Sequence, residues 1–118
     1  MNYIDISNKI KQDYTKNSKS IDNSIKNILM TRRNSLPGNP EFGSNLYNYL
    51  FEEIDPLVTQ LIKEEVNYSL IRWEPRIIIK EISIIEDPDY NRLGIKINYI
   101  IKQEINNPER DYILNFNK

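Results

Sequence analysis

Trp73-Glu74-Pro75-Arg76-Ile77-Ile78-Ile79-Lys80-Glu81-Ile82-Ser83-Ile84-Ile85 is the stretch where the chain changes its period. Upstream, Val58, Leu61, Ile62, Val66 and Leu70 recur at helical spacing and define one apolar face. That helix opens at Asp55-Pro56, an N-cap followed by proline at the first helical position. It stops at Glu74-Pro75, because the residue before proline is pushed out of the α region. Downstream, Ile77 to Ile85 is β-branched and apolar on both faces, which predicts a strand that is central or covered on both sides. Asp87-Pro88-Asp89-Tyr90-Asn91 is a turn. Leu93, Ile95, Ile97, Tyr99 and Ile101 then alternate with mostly polar neighbours, as in a half-buried strand. A second turn at Asn106-Asn107-Pro108 leads to a third strand through Tyr112, Leu114 and Phe116.

Working back from the same point, Ser44 reads as the cap of a middle helix carrying Leu46, Tyr47, Leu50, Phe51 and Ile54. Before it lies a loop dense in turn formers, from Asn34 to Gly43, with two prolines and two glycines that hold a fixed path. Ser20 reads as the cap of a first helix, whose stripe is Ile21, Ile25, Ile28 and Leu29 and whose basic end is Thr31-Arg32-Arg33. Residues 1–19 are largely polar and are expected to be a partly ordered arm. Residues 20–118 make a single domain. Three helices followed by strands predict an α+β fold, with the helices packed on a small antiparallel meander of three or four strands.

Composition removes several function classes. The 118 residues contain no cysteine and no histidine, so disulfides, thiol nucleophiles and imidazole bases are excluded. A zinc site is not expected either, and no metal or other cofactor is predicted. The formal net charge of -1 provides no general drive toward nucleic acid or anionic lipid. No apolar run approaches the ~20 residues that cross a bilayer. Neither nucleic acid nor membrane is expected as a partner.

Two stretches, Pro40-Glu41-Phe42-Gly43-Ser44 and Trp73-Glu74-Pro75-Arg76, flank Leu50-Phe51-Glu52-Glu53. With Ser24-Ile25-Lys26-Asn27 and Thr31-Arg32-Arg33 before them, this ordered set resembles the baseplate wedge family of contractile-tailed phages. That family also includes the baseplate component E of type VI secretion systems. The resemblance covers roughly residues 20–105 and departs at Asn34, where relatives tend to have glycine. Asparagine tolerates the left-handed region, so the turn is expected to survive.

The resemblance implies a non-enzymatic structural protein of the virion tail baseplate, assembled in the host cytoplasm and present as six copies per baseplate. Its implied partners are other wedge proteins, tail sheath subunits and the tail tube or hub. Glu74, Pro75 and Arg76 are implied to dock on the wedge core, and Arg76→Ala is expected to abolish docking while sparing the isolated fold. Pro40, Glu41, Phe42, Gly43 and Ser44 form a structural loop, with Phe42 as its anchor and Gly43 permitting the turn. Leu93, Ile95, Ile97, Tyr99, Ile101, Tyr112 and Leu114 mark strands that offer an edge to the first sheath ring and so initiate it. The plainer reading of those strands, an ordinary edge guarded by Lys96 and Lys102, stands beside it.

Bland readings accompany the other motifs. Glu-Pro-Arg alone is a helix stop with one local ion pair, worth ~0–1 kcal/mol if exposed. Trp73 reads as a partly buried anchor, and Glu52, Glu53, Glu64 and Glu65 as a solvated helix face. Two other functions compete. A lysozyme-like glycosidase would need two carboxylates across a cleft, and Glu74 beside Arg76 would have a lowered pKa, wrong for a general acid. An anti-adaptor-like regulatory binding protein is the third class.

Overall fold

The computed structural model describes residues 19–50, 52–87, 92–104, 106 and 108–117. Helix α1 covers 19–30, α2 is Tyr47–Leu50 and α3 is Pro56–Trp73. Strands β1 (Ile77–Asp87), β2 (Arg92–Ile101) and β3 (Arg110–Asn117) form an antiparallel sheet in the order β1-β2-β3. The predicted α+β class and segregated element order therefore hold. The expected arm falls outside the described residues except for Lys19, which is helical.

Helix α3 begins as its sequence dictates. Asp55 Oδ1 accepts a hydrogen bond from the Val58 N–H at 2.8 Å, and Pro56 fills a position whose N–H would be unsatisfied anyway. Val58, Ile62, Val66 and Leu70 are buried, and they meet the Ile21, Ile25, Ile28 and Leu29 stripe of α1 in one core. The sheet supplies the other side: Leu93, Ile95, Ile97 and Tyr99 of β2 are fully buried. The Tyr99 hydroxyl donates to Asp22 of α1 at 2.6 Å, tying the central strand to the first helix.

Three expectations are corrected. Ser20 lies within α1, whose described residues begin at Lys19, so it is not a cap. The middle helix is a single turn, and Ile54 lies outside it, packed against the core in extended chain. Further on, Asp55 before Pro56 is extended (φ -125°, ψ 176°), so the chain is out of the helix before α3 begins. Phe51 lies outside the described residues.

Strand β1 is an edge of the described sheet, not a central strand. Its two-faced apolar pattern comes from a register shift between Ile79 and Glu81, which leaves Lys80 as the extra residue. One added residue reverses side-chain parity. Ile77 and Ile79 before the bulge, and Ile82 and Ile84 after it, thereby all pack toward the core.

Candidate docking site

The corner between α3 and β1 is built around a buried carboxylate. Glu74 is 2% exposed, at the C-cap of α3, and its N–H closes the last helical turn onto the Leu70 carbonyl at 2.8 Å. Pro75 then turns the chain, and the Arg76 guanidinium folds back onto Glu74 in a fork. Nε donates to Oε1 at 2.7 Å and Nη2 to Oε2 at 2.8 Å. The Arg76 main-chain N–H adds a longer bond to Oε1 at 3.2 Å. Burial pushes the Glu74 carboxyl up, but the hydrogen bonds from Arg76 and Ser24 outweigh it and hold the pKa below the usual glutamate range. The Arg76 side chain remains 48% exposed. The corner is thus a rigid mount that fixes an outward arginine, unlike the exposed surface pair considered from sequence alone.

The Pro40–Ser44 loop packs beside this corner. Phe42 meets Trp73 edge-on, with ring centroids 5.1 Å apart. Arg72 lies over Trp73 at 5.0 Å and also forms an ion pair with Glu41. Trp73 is partly buried, as expected of an anchor. Gly43 has φ +110°, and a Cβ there would sit 2.2 Å from the Thr31 carbonyl oxygen, so glycine is required on both counts. Asn34 adopts φ 70°, the left-handed turn expected of it. Its N–H donates to the Pro40 carbonyl at 2.7 Å and closes the loop.

Ser44 makes the predicted cap contact, its Oγ accepting from the Leu46 N–H at 3.4 Å, and has a second job. It is fully buried, and its Oγ donates to the Leu29 carbonyl at 3.0 Å, satisfying an end of α1. Its main chain pairs with that of Arg32 in a short parallel bridge. Sequence reasoning also missed Glu65. This residue is not on a solvated face: its Oε1 meets Arg33 Nη2 at 2.9 Å and accepts from the Asn45 N–H at 2.7 Å. It locks the loop to α3. The Arg33-to-Glu65 pairing was invisible because 32 residues separate the partners. Glu64 is exposed on α3, as expected of a solvated helix face; Glu52 and Glu53 are exposed but lie between α2 and α3, outside both helices.

The proposed sheath-contact residues are placed differently from expectation. Leu93, Ile95, Ile97, Tyr99, Ile101 and Leu114 are buried core side chains, and Tyr112 packs against that core. Strand β2 is hydrogen-bonded on both sides from Arg92 to Tyr99, so residues 93–99 present no open edge. The flanking strands β1 and β3 form the edges of the described sheet. Tyr112 and Leu114 lie on β3, which keeps the edge-strand position that residues 93–99 lack. Among the described residues, no group of acidic side chains is gathered to hold a metal, and no helix is long and apolar enough to cross a membrane.

A helical layer tied by a closed Pro-Glu-Phe-Gly-Ser loop to a Glu-Pro-Arg corner is the arrangement that the ordered motifs anticipated. The family model described as baseplate wedge protein gp25 matches residues 15–105. The chain belongs to the baseplate wedge protein gp25 family. Baseplate wedge protein gp25 of Enterobacteria phage T4 is 32% identical over 113 residues, covering 91% of this chain and 83% of the phage protein. A Geobacter sulfurreducens protein named as a tail lysozyme has a similar fold (TM-score 0.76, 30% identity, 85% of this chain and 89% of that one). A chain of the postcontracted pyocin R2 baseplate is also similar (TM-score 0.64, 26% identity, 71% of this chain and 84% of that one). This member is therefore a baseplate wedge protein of the kind found in contractile phage tails and pyocins.

Proposed function

We propose that this wedge protein is non-enzymatic, docks on the wedge core through Glu74, Pro75 and Arg76, and initiates the tail sheath at an open edge of its sheet. The observation that carries the docking reading is the buried Glu74 carboxylate, which spends its bonds holding a half-exposed Arg76 in one orientation. Preorganisation of this kind lowers the ordering cost of binding. Arginine also suits a partner carboxylate or a helix-end carbonyl, which it can grip with several donors. Six copies would sit in each baseplate beside other wedge proteins, sheath and the tube or hub, after assembly in the host cytoplasm.

The sheath role rests on the position of β3 at the edge of the described sheet, with its Ile113 exposed. An edge strand is a template for strand addition from another chain. A photo-cross-linker at Ile113 is expected to capture sheath in extended tails, and capture of no sheath would remove this role.

The docking test must respect the fold. The paired change Glu74→Gln with Arg76→Gln removes both charges while retaining polar groups at the corner. It should leave the domain folded and lower incorporation into baseplates at least tenfold. Normal incorporation of the folded double variant would refute docking. The glycosidase reading deserves its own assay because a relative bears the tail lysozyme name. Glu74 held ionised by Arg76 is a poor proton donor, and purified protein is expected to leave cell walls intact.

A further inference from the structure

We propose that two grooves flanking the Glu74-Pro75-Arg76 corner act as one surface, and that its occupant is an acidic amphipathic segment of a partner protein. This rests on the docking reading and names the chemistry of what docks.

The first groove, about 570 Å³, runs between α1 and the Pro40–Ser44 loop. Lys19, Asn23, Asn27, Phe42 and Arg76 line it. The second, about 290 Å³, lies on the other side of the corner between the end of α3 and the start of β1. Its lining includes the apolar Ile71, Pro75 and Ile78, with Lys102 among them. Ile71 and Ile78 are large aliphatic side chains left exposed at this point. The Lys102 N–H donates to the Arg76 carbonyl at 2.9 Å, so the two grooves are fixed relative to one another.

Charge selects the occupant. Among the described lining residues of both grooves, the cations are Lys19, Arg76 and Lys102 and the one carboxylate is Glu74. That carboxylate is buried and already forked to Arg76. The surface is therefore basic, although the whole chain carries a net charge of -1. The outer face of the sheet differs. There Lys80 and Lys96 lie among Glu81, Glu109 and Asp111, and Lys96 pairs with Asp111 at 3.8 Å. At the corner, the fork uses Arg76 Nε and Nη2 and leaves Nη1 to a carboxylate from outside. An acidic segment would place carboxylates against Arg76, Lys19 and Lys102. An aliphatic side chain of the same segment would fill the cleft at Ile71 and Ile78. Nucleic acid would satisfy the cations but not the apolar cleft.

Photo-cross-linkers at Asn27 and Ile71, with Ser83 on the outer sheet face as control, would test this in baseplates of the cognate machine. Both groove positions are expected to capture one partner segment containing several Asp or Glu residues and at least one aliphatic residue. Lys19→Glu with Lys102→Glu, both at exposed positions, should reduce incorporation at least tenfold, and acid-to-lysine changes in the captured segment should restore it. Capture of a neutral or basic segment, of nucleic acid, or of two different proteins overturns the proposal. So does unaltered incorporation of the Lys19/Lys102 variant. If that variant assembles normally while the Glu74/Arg76 double variant does not, docking at the corner stands and the acidic-segment proposal alone falls.

Discussion

Arg76→Ala strands a carboxylate. In the native chain Glu74 is 2% exposed, and its strongest partners are two Arg76 nitrogens at 2.7 and 2.8 Å. Removing one partner of a fully buried ion pair costs about 3–5 kcal/mol. Here the guanidinium is half in water, and Ser24 and the residue 76 N–H still serve the carboxylate. The expected loss is therefore about 2–3 kcal/mol at neutral pH, or roughly 10 °C in Tm for a domain of this size. The expectation from sequence is that Arg76→Ala spares the fold, whereas the burial of Glu74 predicts a weakened one. The pH dependence has a definite sign. The lowered pKa of native Glu74 contributes stability that is complete above its unfolded pKa and lost as pH falls through the lower folded value. The alanine variant loses the Arg76 side-chain bonds that lower this pKa and keeps the burial that raises it, so the folded pKa is expected to move up and protonation to relieve part of the defect. The gap between the two proteins should be widest near pH 7 and narrow below about pH 5. Urea titrations followed by the fluorescence of Trp73, the single tryptophan, would measure it. Adding Glu74→Met to Arg76→Ala should recover most of the loss by removing the stranded charge. A gap under about 0.5 kcal/mol at pH 7, or one that stays constant with pH, would refute the reasoning.

Gly43→Ala should cost about 3–5 kcal/mol, combining positive-φ strain with displacement of the Thr31 carbonyl, whereas Gly38→Ala, open on all sides, should change stability by under about 0.5 kcal/mol; equal melting temperatures for the two would sink that account. Ser44→Ala leaves the Leu29 carbonyl without its buried donor and should cost about 1–3 kcal/mol by denaturant titration. Glu65→Ala removes the acceptor shared by Arg33 and the Asn45 N–H, and proteolysis in the 31–45 loop should accelerate severalfold. Asp55→Ala removes the α3 cap and should lower stability by about 1 kcal/mol, with no effect on that loop's proteolysis.

The elements that local rules govern were legible without coordinates. Proline at 56 and at 75 set the ends of α3 because proline restricts its own φ and its predecessor's conformation, whatever surrounds them. Period-two alternation marked β2 because its one buried face must match the pleat. The family, too, could be read from short motifs in order. Gly43 and Asn34 were assigned to turns for a reason the backbone angles bear out, since both residues adopt positive φ.

Other features depended on contacts between distant residues. The order of the strands is one: β1 looked central because a bulge at Lys80 alternates its apolar parity, and only pairing with β2 reveals the shift. Of the two strands expected to offer an edge, pairing closes β2 on both sides over residues 93–99 and leaves β3 at an edge of the described sheet. The middle helix is one turn, set between the tether of Ser44 to Leu29 and the extended Asp55 that precedes Pro56. Glu65 looked like any surface acid until folding brought Arg33 to it. The Glu-Pro-Arg corner belongs to both groups. Its helix stop was written in Pro75, but the burial of Glu74 depends on α1 and β1 closing over it. That burial turns a local ion pair into a fixed mount for Arg76, because a carboxylate out of water cannot let go of its partner cheaply.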